Sequence, residues 1–227
     1  MEDSKDFKYS NAVLIVPVVA ITFIWFVYWV ELTFGYNFNK YGILPQELIG
    51  LRGIIFSPFI HSSTSHLFNN SVPLAVLLAC LFFFYRDLAV KILFFGTILT
   101  GLFTWSFARE SYHIGASGVV YMLVSFIFFS GILRKHYRLV ALSLLVAFLY
   151  GSMIWYVFPI KERISWEGHL SGFIVGLIFT FLYKSKGPQK QEYEFKKTEF
   201  DLMFDENGDF NPPEINEELK QDVSSID

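Results

Sequence analysis

Residues 114–133 read Ile-Gly-Ala-Ser-Gly-Val-Val-Tyr-Met-Leu-Val-Ser-Phe-Ile-Phe-Phe-Ser-Gly-Ile-Leu, a run without a single charge. About 20 such residues are what a helix needs to cross roughly 30 Å of hydrocarbon. Near its start, Ser117 sits between Gly115-Ala116 and Gly118. A second stretch, Gly168-His169-Leu170-Ser171-Gly172, opens another apolar segment with an imidazole. An ionisable side chain is expensive to keep in such a segment, which makes His169 a functional candidate by default.

Composition agrees with the membrane reading. The chain of 227 residues is 53% hydrophobic and only 17% charged, with 27 phenylalanines. A soluble domain of this size would not carry so much apolar surface with so few charges. The lone Cys80 excludes an intramolecular disulfide. The net charge of −3 is unevenly spread, with acidic residues crowding the end of the chain. The first apolar run, Ala12–Val30, is too long for a signal-peptide core and lacks a small-residue cleavage site, so it is read as a retained span.

Outward from the opening stretch, six spans are expected in an all-α bundle: Ala12–Val30, Leu67–Tyr85, Ile92–Ala108, Ile114–Leu133, Leu139–Phe158 and His169–Tyr183. The last is short and crosses only if it starts near Ser165. This divides the chain into an N-terminal arm (1–11), a six-helix domain (12–185) and a polar, acidic tail (186–227) expected to be disordered. Lys5, Lys8, Arg86, Lys91, Arg134, Lys135, Arg138, Lys184, Lys186 and Lys190 fall on one side, against Lys40, Arg52, Arg109, Lys161 and Arg163 on the other. The positive-inside bias then predicts both termini in the cytoplasm. The connection from Glu31 to Ser65 is long and rich in aromatics, and is expected to lie against the membrane. Asp205-Glu206-Asn207-Gly208-Asp209 lacks the spacing of a calcium loop.

Under this topology, spans two, four and six begin at the same outer depth. His66 and Asn70 share a face of the second span at i and i+4. Ser117 opens the fourth span, at a helix N-terminus where developing negative charge is favoured. His169 opens the sixth, on the same face as Gly172 and Gly176. Gly168, Gly172 and Gly176 form a small-residue series that permits close helix contact, and Gly115, Ala116 and Gly118 offer a matching surface. A serine in a membrane helix ordinarily bonds back to its own backbone. Four polar side chains meeting in one layer suggest chemistry instead: Ser117 as nucleophile, His169 as general base, and His66, Asn70 and the Ser117 N–H as oxyanion donors. Apolar runs hold no Asp or Glu, and Glu167 points elsewhere on its helix, so a dyad is expected rather than a triad.

The set His61…His66-Leu67-Phe68-Asn69-Asn70, Gly115-Ala116-Ser117-Gly118-Val119-Val120-Tyr121 and Gly168-His169-Leu170-Ser171-Gly172…Gly176 resembles the rhomboid intramembrane serine proteases. The likeness covers roughly residues 10–185 and is closest to the compact six-helix bacterial form. It implies that Ser117 and His169 are the dyad, that His66 and Asn70 are the oxyanion partners, and that Tyr121 stacks on the His169 ring. The family's outer loop usually carries a Trp-Arg pair; here it reads Leu51-Arg52, and only Arg52 carries over. The implied substrates are single-span membrane proteins cut near the outer bilayer face, and the implied location is a bacterial inner membrane. The expected partners are those substrates and the bilayer; neither nucleic acid, metal nor cofactor is expected. His-Glu-x-x-His and paired intramembrane aspartates, the marks of other membrane proteases, are absent. The rival reading is a catalytically silent rhomboid-like protein that escorts membrane helices. A small transporter would instead predict polar residues at mid-bilayer and internal repeats.

Overall fold

The computed structural model describes residues 7, 9–160, 164–190, 198 and 200–211. Lys5, Lys8, Lys161 and Arg163, used above for orientation, lie outside these, as does most of the acidic tail including Pro212-Pro213. The chain divides into two compact units, 1–190 and 191–227.

Among the described residues the fold is helical, with no strand beyond isolated bridges. Its α-helices are α1 (Ala12–Phe34), α2 (Gly53–Phe56), α3 (Thr64–Phe84), α4 (Arg86–Phe107), α5 (Ser117–Arg134), α6 (Tyr137–Tyr150) and α7 (Trp166–Leu182). Five helical segments are long and apolar enough to cross a membrane: α1, α3, α4, α5, and α6 with its short 3-10 continuation Gly151–Val157. α7 is apolar but shorter.

The expected third span begins six residues earlier than hydropathy suggested. Arg86, Asp87 and Lys91 belong to the first turns of α4, and only Tyr85 separates it from α3. Conversely, the fifth span is α-helical only to Tyr150. It then tightens into the 3-10 stretch Gly151–Val157.

α5 is the central helix, packed against α3, α4, α6 and α7. Met122, Leu123, Phe126 and Ile127 of α5 are fully buried against a core that includes Leu77, Leu81, Ile92, Leu139 and Val175. Its broadest contact is with α7, where glycine replaces side chains. A methyl on Gly172 would collide with the Gly118 carbonyl, and one on Gly176 with the Met122 carbonyl. Backbones that close gain dispersion contact in a medium that offers no hydrophobic drive between helices. Deeper in this seam, the Ser125 hydroxyl donates to the Phe173 carbonyl at 2.8 Å.

α1 stands at the edge and rests on α3, where the Trp25 indole donates to Ser71 at 3.0 Å. Most of its apolar surface is exposed, including Leu14, Ile15, Val18, Val19 and Phe26. Surface of that kind suits hydrocarbon as solvent, not water.

The connection between α1 and α3 is built, not slack. Ile43 and His113 exchange both backbone hydrogen bonds at 2.9 Å, tying it to the chain just before α5. The Gln46 N–H donates to the Trp105 carbonyl at 3.0 Å, and the Trp105 indole to the Glu47 carbonyl at 2.9 Å. Arg52 donates to the Lys40 carbonyl at 2.7 Å and lies over the Tyr41 ring. Leu48, Ile49, Ile55 and Phe56 remain exposed on this segment. In the second unit, Asp201–Met203 form a 3-10 turn, and Asp205 accepts from the Asn207 and Asp209 N–H groups.

Candidate active site

Ser117 is the first residue of α5. The turn before it needs glycine: Gly115 has φ +107°, a region that L side chains avoid. A methyl there would also lie 2.7 Å from Nε2 of His66. The Gly115 N–H is anchored on the Ser57 carbonyl at 2.8 Å. The Ala116 N–H makes a long, 3.5 Å contact to Nε2 of His61. Held from both sides, the turn presents Ser117 at the end of a helix whose first N–H groups have no intrahelical acceptor.

His169 arrives from the first turn of α7, and its Nε2 lies 2.9 Å from Ser117 Oγ. Its Nδ1 lies 2.9 Å from the Tyr156 carbonyl. A carbonyl only accepts, so Nδ1 carries the proton and Nε2 of the neutral ring is free to accept from the serine hydroxyl. The Tyr121 ring stacks on the imidazole, with centroids 4.2 Å apart and planes inclined by 11°. Tyr121 is itself fixed by donating to the Met153 carbonyl at 2.8 Å.

His66 and Asn70 stand on the adjoining face of α3. His66 Nδ1 pairs with the Ser62 hydroxyl at 3.3 Å, while its Nε2 faces Gly115. Asn70 Nδ2 faces the same glycine, is buried, and finds no hydrogen-bond partner among the described residues. A buried amide donor without an acceptor costs about 1–3 kcal/mol, so its retention needs a reason. Beside Ser117 lies a cavity of about 30 Å³, bounded in part by Ser57, Thr100, Thr104 and Gly115. That is room enough for water.

The structure thus brings Ser117, His169, His66, Asn70 and Tyr121 into one cluster. Gly118 and Gly172 set the α5–α7 distance there, with Gly176 one turn deeper. Glu167 turns away from His169 toward Arg109, whose Nε lies 3.6 Å from its Oε1. Sequence reasoning missed the Tyr156 carbonyl, because a backbone acceptor carries no residue signature. It also missed His113, which is buried and bonded through Nδ1 to Ser165 Oγ at 2.6 Å. Burial holds His113 below the usual histidine range, against the opposing pull of the Arg109 carbonyl and Glu167. His61 is pushed down to about 4, mainly by burial and secondarily by the neighbouring His66. Among the described residues no cluster of His, Cys, Asp or Glu is arranged to hold a metal.

Comparison with known proteins gives a consistent picture. The model of the Rhomboid domain matches residues 50–186. An uncharacterised protein of Mycobacterium tuberculosis is 33% identical over 195 residues, covering 78% of this chain and 78% of its own. One from Mycobacterium leprae is 31% identical over 194 residues, covering 79% of this chain and 75% of its own. A helical bundle with several spans that could cross a membrane is what such a domain requires, and the chain belongs to the rhomboid family.

Proposed function

We propose that this protein is an intramembrane serine endopeptidase that cleaves single-span membrane proteins near the outer bilayer face. The reading takes α7 as a sixth span, about 25 Å long at 1.5 Å per residue, and places both termini in the cytoplasm. The observation that supports it best is the 2.9 Å approach of His169 Nε2 to Ser117 Oγ, with the imidazole held in the accepting tautomer by Tyr156.

In this mechanism, His169 takes the Ser117 proton as Oγ attacks the scissile carbonyl. The Tyr156 carbonyl and the Tyr121 face do the orienting that a carboxylate does in a triad, without introducing a buried charge. The oxyanion forms near Gly115, where the open Asn70 amide and the Ser117 N–H donate to it. With the Ser62 hydroxyl donating to its Nδ1, His66 carries a proton on Nε2 and adds a third donor. The imidazolium then returns its proton to the leaving amine, and water hydrolyses the acyl-enzyme by the same route reversed.

The purified full chain is expected to react covalently with a fluorophosphonate probe, and Ser117→Ala to lose that labelling while keeping its melting temperature. Labelling that survives Ser117→Ala removes the assigned nucleophile. A wild-type protein that folds but never labels supports an escort role instead.

A further inference from the structure

The proposed dyad depends on two helices whose facing surfaces, at the depth of the site, are nearly smooth. Gly118 of α5 meets Gly168 and Gly172 of α7. Glycine lets the backbones touch but supplies no knob to stop one helix turning or sliding past the other. The Ser125–Phe173 hydrogen bond lies about two turns deeper on α5. Something nearer the surface must set the register of the first turn of α7, where His169 stands.

That turn is held by a polar lock with a buried carboxylate and an exposed guanidinium, the Arg109 side chain being 40% exposed. Glu167, with its side chain only 3% exposed, pairs with Arg109 through Nε at 3.6 Å and through the Arg109 backbone N–H at 3.4 Å. Arg109 Nη2 donates to the Ile164 carbonyl at 2.7 Å. His113 Nε2 donates to the Arg109 carbonyl at 3.0 Å, which leaves Nδ1 to accept from the Ser165 hydroxyl. The Ser165 carbonyl in turn accepts from the His169 N–H at 3.2 Å. Arg109 and His113 lie on the connection that leads into Ser117, whereas Ile164, Ser165 and Glu167 lead into His169. The lock therefore joins the two chain segments that deliver the two halves of the dyad.

We propose that Glu167, acting through Arg109, is a positioning residue for His169. This inference rests on the hydrolase reading above. A carboxylate in the first turn of α7 is favoured by the helix dipole, yet burial of its charge is costly and Oε2 has no partner among the described residues. An ion pair with one exposed partner is weak evidence for stability in its own right. Its value here is geometric: a displacement of about 1 Å between reacting groups can cost about 10²-fold in rate.

The test uses the detergent-solubilised full chain and two rates: fluorophosphonate labelling, and steady-state cleavage of a reporter with one membrane span. Glu167→Gln keeps the shape and removes the charge. It is expected to slow labelling and kcat by about 10–10²-fold with KM unchanged, and Glu167→Asp to recover part of the loss. Arg109→Gln, at a partly exposed side chain, should show the same defect and add little to Glu167→Gln in the double variant, as partners in one interaction do. It carries the test if Glu167→Gln fails to fold. Wild-type labelling and kcat per folded molecule in these variants, or a loss confined to KM or melting temperature, overturns the inference while leaving the hydrolase intact. A wild-type chain that does not label at all takes both down together.

Discussion

The two ends of the α5–α7 seam handle buried polar groups in opposite ways. At the far end from Ser117, the buried Arg134 side chain directs Nη2 to the Tyr183 carbonyl at 2.8 Å and the Lys186 carbonyl at 2.7 Å, with Nε on Lys186 at 3.0 Å. Tyr183 caps the end of α7 and Lys186 lies in the turn just beyond, so the guanidinium ties down the chain as it leaves the helix, and a cation there also suits the negative end of the dipole. Arg134 further lies over the Tyr85 ring, 5.1 Å from its centroid. Its Nη1 and the neighbouring Tyr85 Oη and Ser130 Oγ have no hydrogen-bond partner among the described residues, but these three groups face one another. At the Ser117 end, Asn70 Nδ2, Thr100 Oγ1 and Glu167 Oε2 all lack partners among the described residues. A clamp gains by saturating its hydrogen bonds, whereas in the proposed mechanism the Asn70 amide is a donor kept open for a charge that exists only in transit; the Glu167 oxygen, an acceptor, has no part in that. On the proposed function, the Arg134 end serves stability and the Ser117 end serves activity.

Asn70→Ala gives the sharpest way to break that contrast. If the open amide awaits an oxyanion, its removal should lower kcat by about 10–10³-fold, the range for single oxyanion donors. Melting temperature should hold or rise, because an unsatisfied buried donor has been removed. A variant that melts lower yet turns over normally would make Asn70 a structural group. Arg134→Leu should do the reverse: a loss of about 1–3 kcal/mol in stability from the abandoned carbonyls, with labelling per folded molecule unchanged. Slower labelling in the folded fraction would mean that the Arg134 end also sets site geometry.

How far the sequence foretold this varies by element. The cores of the spans were legible because hydropathy measures the part of a helix that meets hydrocarbon. Their ends were not: Arg86, Asp87 and Lys91 are helical but polar, and the change to a 3-10 stretch after Tyr150 has only Gly151 to mark it. The faces that carry His66, Asn70 and His169 could be read from spacing, since i, i+4 and a glycine series define helix faces independently of tertiary detail, whereas Tyr121 came only with the family resemblance. What orients His169 could not. The Tyr156 carbonyl comes from that 3-10 stretch, and its direction depends on the local backbone, not on residue type. Glu167 was correctly read as pointing away from His169, but its partner Arg109 is 58 residues distant and no periodicity links the two.

The smallest expected effect concerns pH and again divides the ends. His61 and His113 both sit in connections at the Ser117 end, and burial lowers both, His61 to about 4. In the unfolded chain each would titrate near 6.5. Between those values the unfolded state binds more protons, so stability rises with pH there. The contribution is complete above about 6.5 and drains away as pH falls toward 4. Arg134 at the other end keeps its charge throughout and adds no slope. Melting temperature should therefore decline between pH 7 and pH 5, and decline less steeply in His61→Gln, whose amide oxygen can still accept from the Ala116 N–H. Equal slopes in the two proteins would show that His61 is not held neutral by its burial. The long contact to Ala116 would then not be what braces the turn before Ser117.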